Sequence, residues 1–143
     1  GADMRHGAAD ARSAVREIAL GRGADVGTLQ RLPRLVGEGM ARELAYTGRD
    51  FGAEEAQAMR LVNRVFDSPQ ALLAGVCRIA QEIAAKSPLS IRGVKQVMNH
   101  SRDHSVADGL DYVANWNAAM LLSEDLNAAI RAGMTRQVPK FRD

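Results

Sequence analysis

The stretch that decides the fold is VREIALGRGADVGTLQRL, residues 15–32, which carries two carboxylates on a glycine-rich turn. A short run typical of a strand ends at Glu17, and Asp25 follows eight residues later. Three glycines punctuate the turn: Gly21, Gly23 and Gly27. Glycine admits positive φ and lets a ligand approach the backbone closely, and loops on a rigid scaffold often carry catalytic side chains. Glu17 and Asp25 are therefore a candidate acid/base pair, with two solvated loop carboxylates as the alternative.

Composition limits the classes to which this protein can belong. The 143 residues are enough for one domain with a core. The net charge of +2 gives no reason to expect a nucleic-acid partner, and no apolar run approaches the roughly 20 residues that span a bilayer. The single cysteine, Cys77, excludes an internal disulfide and a cysteine-built metal site, and we expect its side chain to be small and buried. These features predict a soluble protein in the cytoplasm, without a membrane partner.

Short strands at the start and helices afterwards predict an α/β protein. Strands are expected at 3–6, 11–18 and 61–66, and an isolated sheet this small would be marginal, so the chain is expected to begin in the middle of a larger sheet. Helices are expected at 30–37, 38–47 and 53–61. Four further helices begin behind the N-capping residues Ser68, Ser87, Ser105 and Ser123, the last of them ending at Gly133. Residues 135–143 are expected to form an exposed tail.

The remaining chemistry-bearing residues suggest no metal or nucleotide site. His6, His100 and His104 are scattered. The spacing of His100 and His104 matches one helical turn, but the predicted cap at Ser105 puts a loop between them, so we expect no metal ligand set. Neither a serine-nucleophile motif, a P-loop nor a dinucleotide fingerprint occurs. Tyr112 and Trp116 are expected in the core or at a subunit interface.

Five separated motifs, in this order, carry a family resemblance: EI at 17–18 with LG at 20–21, GTLQRLP at 27–33, EEA at 54–56, LVNRV at 61–65 and AAKSP at 84–88. With these motifs the chain resembles the crotonase (enoyl-CoA hydratase/isomerase) superfamily. Three further stretches resemble its Δ3,5-Δ2,4-dienoyl-CoA isomerase branch: ADVGTLQRLP at 24–33, SRDHSV at 101–106, and YVA with WN at 112–117.

The resemblance implies a crotonase-like ββα spiral and covers only the C-terminal half of it. Residues 1–66 would form the C-terminal part of the spiral core, and residues 67–143 a helical region for oligomerisation and for covering the acyl pocket. The implied partners are the N-terminal half of the same enzyme and further copies in a homotrimer or hexamer. That other half would supply the oxyanion hole and the region that holds the adenine end of coenzyme A.

The resemblance also implies an acyl-CoA isomerase of fatty acid β-oxidation that uses no cofactor besides its thioester substrate. Glu17 matches the catalytic base for C2, and Asp25 matches the acidic residue that acts at C6. Lys140, like Arg31 and Arg34, would meet the phosphates of coenzyme A. Two alternatives stay open: an enoyl-CoA hydratase, and a non-catalytic oligomerisation or binding fragment.

Three positions depart from the family pattern. Many branch members carry an acid at the position of Ala19, and Arg22 replaces a small or apolar residue beside the pocket. Arg60 stands where glycine is common. The first two changes are expected to alter substrate preference or activity more than the fold.

Overall fold

Short strands and helices make up the first part of the described chain, and helices alone make up the second. This order agrees with the predicted α/β class. The structure is a computed structural model and describes residues 2–141. The strands are β1 His6–Ala8, β2 Arg12–Ser13, β3 Phe51–Gly52 and β4 Arg64–Phe66. The helices are α1 Thr28–Val36, α2 Glu38–Thr47, α3 Ala53–Ala58, α4 Pro69–Ala84, α5 Pro88–Ser101, α6 Val106–Met120 and α7 Glu124–Thr135. A 3-10 helix at Glu17–Leu20 is called the Glu17 turn below.

The chain divides into two units, Gly1–Cys77 and Arg78–Asp143. Every strand of the described residues, the Glu17 turn and helices α1 to α3 belong to the first unit, and α5 to α7 belong to the second. The functional division predicted from the sequence, a spiral core over 1–66 and an oligomerisation region over 67–143, stays a prediction.

Two strand pairs define the first unit. Strand β1 runs parallel to β4, with His6 opposite Arg64 and Ala8 opposite Phe66. Parallel strands need a crossover connection, and helices α1, α2 and α3 all lie in the chain between these two strands. Strand β2 pairs antiparallel with β3. The predicted strand at 61–66 is thus confirmed as the shorter β4, whereas the one predicted at 3–6 is wrong except at His6, where β1 begins.

The core of the first unit forms where α1 and α2 pack around β3 and α3. Its buried members are Leu32, Ala41, Leu44, Phe51 and Ala56. Gly37 separates the two helices at φ 85°, and Gly48 ends α2 at φ 60°. Both angles lie in the region that glycine adopts without steric cost, so the predicted glycine stops at Gly37 and Gly48 are confirmed.

Helix α3 ends earlier than its apolar pattern predicts. The sequence predicts a helix over 53–61, but α3 stops at Ala58 and Arg60 follows with φ 64°. A side chain in the left-handed region costs roughly 1–2 kcal/mol, so glycine suits this position better. Arg60, where the family resemblance leads us to expect glycine, therefore has a backbone conformation that favours glycine.

Arg49 joins α2 to α3 through two glutamates. Its guanidinium contacts Glu55 at 2.5 and 3.1 Å through both terminal nitrogens, and its Nε donates to Glu43 Oε1 at 2.9 Å. Bidentate hydrogen bonds from a charged guanidinium stabilise the carboxylate form of the partner. The hydrogen bonds from Arg49 hold the pKa of Glu55 below its usual value of 4.5 and raise the pKa of Arg49 further.

The Arg49–Glu55 pair predicts a specific loss of stability in acid. Because the pKa of Glu55 is lower in the folded than in the unfolded chain, its stabilisation is complete above pH 4.5 and is lost as the pH falls through the folded value. Glu55→Gln is expected to make the fall of unfolding free energy below pH 4.5 shallower, as measured by urea titrations at stepped pH. Glu54→Gln, an exposed neighbour in the same helical turn, should leave the slope unchanged. Equal slopes for the two variants would contradict the assignment.

Helices α4 to α7 begin where the sequence predicts. The hydroxyls of Ser68, Ser87, Ser105 and Ser123 accept the backbone N–H groups of Ala71, Ser90, Asp108 and Leu126 at 3.1 to 3.2 Å. Ser105 also donates to Asp108 Oδ2 at 2.6 Å and holds the pKa of that carboxyl below its usual value. All four predicted starts are confirmed, while α7 continues two residues past the predicted stop at Gly133.

A glycine sets the spacing of α5 and α6 in the second unit. A Cβ built on Gly93 would lie 2.5 Å from Nε1 of Trp116, so only glycine admits the indole here. Tyr112 on the same helix stacks on His100 with ring centroids 4.0 Å apart, and His104 stacks on the other side at 3.8 Å. Both aromatic side chains are half-buried against α5, and their predicted place in the core or at a subunit interface stays a prediction.

The structure tests two predictions about exposure, one for Cys77 and one for the tail at 135–143. Cys77 is exposed, which contradicts the predicted buried cysteine, because it lies on the outer side of α4 while Gly75 faces Phe66. Thr135, the first residue of the predicted tail, still belongs to α7. Residues 136–138 and 140 are exposed, while 139 and 141 are half-buried and 142–143 lie outside the described residues.

Candidate active site

Glu17 opens a tight turn rather than ending a strand. Strand β2 stops at Ser13, and the Glu17 turn folds back through hydrogen bonds from Gly21 N to Ile18 O at 3.1 Å and from Arg22 N to Glu17 O at 3.2 Å. Gly21 closes it at φ 73°. The predicted strand at 11–18 is therefore wrong beyond Ser13, because the glycine allows a reversal that the residue pattern before it does not encode.

The end of α2 supports the Glu17 turn from one side. A Cβ on Gly48 would lie 2.9 Å from Cγ2 of Ile18 and 3.3 Å from the carbonyl oxygen of Val15. Next to this contact, Arg16 donates from Nη2 to both carboxylate oxygens of Asp50 at 2.6 and 2.7 Å. The half-buried Glu17 therefore stands on a turn that is fixed by packing on one side and by an ion pair at its start.

Asp25 occupies the entrance to helix α1. Its carbonyl oxygen accepts the N–H of Thr28 at 3.0 Å, and its side chain is 58% exposed. The next residue, Val26, takes φ 44° and is 90% exposed. Positive φ is unusual for a β-branched residue, and such strained positions cluster at functional sites. The strain at Val26 thus marks the same loop that the two carboxylates single out.

Arg22 contacts the backbone of one candidate residue and the carboxylate of the other. Its backbone N–H is bonded to the carbonyl of Glu17, and its guanidinium Nη1 lies 3.7 Å from Asp25 Oδ2. Both predicted site residues therefore belong to one short loop of the first unit, with an arginine between them. As general acids or bases, carboxylates can take a proton from one carbon and give one to another.

The other predicted binding residues lie outside this loop or are exposed. Lys140 is exposed in the second unit. Arg31 and Arg34 are exposed on α1, and Arg31 folds back towards Gly27. Residues 2–141 contain no group of three His, Cys, Asp or Glu side chains that would hold a metal ion. Within the same range, each helix is too short or too polar to cross a membrane.

Sequence reasoning missed the residues that support the loop. The pattern predicts Gly48 only as a helix stop and assigns no role to Asp50, which holds Arg16 at the start of the Glu17 turn. The only local signal was charge: RD at 49–50 follows a helix end directly, and a glutamate pair follows at 54–55. The partner of Asp50 is Arg16, 34 residues away, so this local signal does not identify it.

A methyl group at Gly48 tests whether α2 holds the Glu17 turn. Gly48→Ala places a side chain at φ 60° and against Ile18, which we expect to cost about 1–2 kcal/mol of unfolding free energy for the backbone alone. Urea unfolding measures this loss. Gly39→Ala, where an added Cβ meets no atom within 4 Å, is the matched control and should not lower stability. Equal stability of the two variants would show that the contact does not constrain the turn.

The family model for enoyl-CoA hydratase/isomerase matches residues 1–143, so the chain belongs to this family. It is 49% identical over 139 residues to the peroxisomal Delta(3,5)-Delta(2,4)-dienoyl-CoA isomerase of Arabidopsis thaliana, covering 97% of this chain and 50% of that protein. It is 44% identical over 131 residues to the mitochondrial enzyme of that name from Homo sapiens, covering 91% of this chain and 40% of that protein. A crystal structure of enoyl-CoA hydratase from Bacillus anthracis superposes with a TM-score of 0.93 at 29% identity, covering 97% of this chain and 54% of that one.

These matches confirm the predicted superfamily and its fold. The chain spans about half the length of the curated relatives it matches. The family match extends over all 143 residues. The predicted assignment of these residues to the C-terminal half of the fold stays a prediction.

The predicted cytoplasmic location is wrong by the same comparison. The Arabidopsis relative is named peroxisomal and the human relative mitochondrial. Composition and one free cysteine cannot separate the cytoplasm from an organelle, because short signal segments direct a protein to its compartment.

Proposed function

We propose that these residues form part of an acyl-CoA isomerase that converts a 3,5-dienoyl-CoA into a 2,4-dienoyl-CoA. The observation that carries the proposal is the placement of Glu17 and Asp25 on one loop, joined through Arg22. The names of the Arabidopsis and human relatives support the same reaction.

The reaction needs two proton transfers and no redox change. Glu17 removes a proton from C2, and the electron pair moves into the conjugated system as an enolate of the thioester. Asp25 in its protonated form then gives its proton to C6, so that the 3,5-diene becomes a 2,4-diene. Exchange with solvent returns Glu17 and Asp25 to their starting forms. One carboxyl group at each end of the conjugated system meets this need, and the proposal includes no resident cofactor.

The enolate oxygen needs hydrogen-bond donors, since a proton beside a thioester becomes acidic only when that charge is stabilised. We assign this oxyanion hole to the other half of the family fold, and these 143 residues to the C-terminal half. Lys140 is proposed to approach a phosphate of coenzyme A. Assembly into a trimer or hexamer belongs to the same proposal.

An absorbance assay with 3,5-dienoyl-CoA tests the function. We expect the full-length protein that includes these residues to produce a diene conjugated with the thioester, seen as growing absorbance without uptake of water. Hydration of a 2-enoyl-CoA, seen as loss of absorbance, would identify a hydratase instead. Neither reaction in a folded full-length protein would contradict the enzyme proposal.

A non-catalytic oligomerisation module is the second candidate, and the surface of the second unit supports it. A groove of about 620 Å³ is lined there by Val94, Trp116 and Met120 among others. Leu122 is 93% exposed and Met134 82% exposed. Apolar surface of this extent is typical of association sites. A defined trimer without thioester chemistry, measured by light scattering and the same assays on the full-length protein, would favour this candidate.

A further inference from the structure

We infer that Arg22 is a positioning residue that orients the carboxyl group of Asp25 for proton delivery. The inference rests on the proposed function and assigns a role to the residue that most clearly departs from the family pattern in this loop. It concerns the loop 17–27 of the first unit alone.

The backbone of Arg22 is fixed before its side chain is considered. Its N–H is bonded to Glu17 O at 3.2 Å, directly behind Gly21, which closes the turn at φ 73°. From this point the guanidinium reaches Asp25 Oδ2, three residues further along the chain, at 3.7 Å. One residue therefore couples the turn that carries the base to the side chain that carries the acid.

Stability does not explain the Arg22–Asp25 pair. The two side chains are 61% and 58% exposed, and an ion pair in that environment contributes about 0–1 kcal/mol. The pair Arg42–Glu38 on α2 is similarly exposed, at 58% and 69%, and lies outside loop 17–27. If ion pairing were the whole role of Arg22, replacing Arg22 and replacing Arg42 would have the same effect on the protein.

The position of the guanidinium suits the chemistry at Asp25. When Asp25 releases its proton to C6 it becomes an anion, and the guanidinium 3.7 Å away stabilises that charge as it develops. The neighbouring Val26 has φ 44°, an uncommon backbone angle that persists only where the surrounding structure imposes it. Asp25 is exposed, and Arg22 is its ion-pair partner within the described residues, so we assign the orientation of its carboxyl group to this contact.

Kinetics of the full-length protein with 3,5-dienoyl-CoA test the inference. Arg22→Ala is expected to lower kcat by about tenfold with little change in KM, because the contact matters only during proton transfer. Arg22→Lys should retain part of the rate, and added methylguanidine should restore part of it in Arg22→Ala. Arg42→Ala, with the same loss of charge, should keep the original kcat.

A second comparison separates positioning from a general structural effect. In an Asp25→Asn background, Arg22→Ala should cause no further loss, since Arg22 acts through Asp25. A full additional loss, or failure of both lysine and methylguanidine to restore any rate, would overturn the inference. So would an unchanged kcat in Arg22→Ala. If the parent protein does not isomerise the substrate while it folds normally, the proposed function fails instead, and the two failures are thereby distinguished.

Discussion

Glu17→Gln is expected to lower the isomerisation rate of the full-length protein by about 10²–10⁴-fold, the usual contribution of a general base. The amide keeps the size of the side chain but accepts no proton from C2. The turn itself should persist, because the backbone carbonyl of residue 17 still accepts the N–H of Arg22. The measurement is kcat with 3,5-dienoyl-CoA, together with exchange of the C2 proton in heavy water, which should stop.

Glu54→Gln is the control for this experiment, since Glu54 is an exposed glutamate on α3. It should leave kcat and exchange as they are. If Glu17→Gln retained full activity, or if it lost isomerisation while C2 exchange continued, Glu17 would not be the base for C2.

The helical parts of this fold could be predicted because their signals are local. Gly48 ends α2 and Ser105 starts α6 where the sequence indicates, since each residue acts within one turn of its own helix. The bounds of α2 match the prediction at both ends. The candidate acid/base loop could be proposed for a similar reason: its glycines and carboxylates stand close together in the chain.

The predictions that were wrong concern residues whose structure depends on partners distant in sequence or on backbone angles. Residues 14–17 have a strand-like pattern, yet they make no ladder and Glu17 opens a turn. Arg16 contacts Asp50, 34 residues away, only after the chain folds. Cys77 is exposed although its residue type is usually buried, because position on α4 outweighs type.

The Ala19 and Arg22 departures illustrate the limit for the site. Their identity is visible in the sequence, but their consequence depends on geometry. Ala19 lies exposed inside the Glu17 turn, where its N–H is bonded to Arg16 O at 3.0 Å. Arg22, by contrast, reaches Asp25. Of the two residues, Arg22 is therefore the one whose side chain reaches a candidate catalytic carboxylate.

Asp25→Asn is expected to separate the two halves of the reaction. Glu17 would still remove the C2 proton, whereas the asparagine amide has no acidic proton to give to C6. We expect kcat for isomerisation to fall by about 10²–10⁴-fold while exchange of the C2 proton in heavy water continues. Mass spectrometry of the recovered thioester measures both, because exchange adds deuterium at C2 and completed turnover adds it at C6.

Asp10→Asn serves as the matched control, an exposed aspartate in the turn between β1 and β2, and should show the original pattern at both carbons. Continued labelling of C6 in Asp25→Asn at the original rate would remove Asp25 from the mechanism. Loss of labelling at both carbons would mean that Asp25 is needed before the enolate forms. Labelling at C2 alone identifies Asp25 as the acid of the second step, because Glu17 is then still active and only the far end of the conjugated system lacks its proton donor.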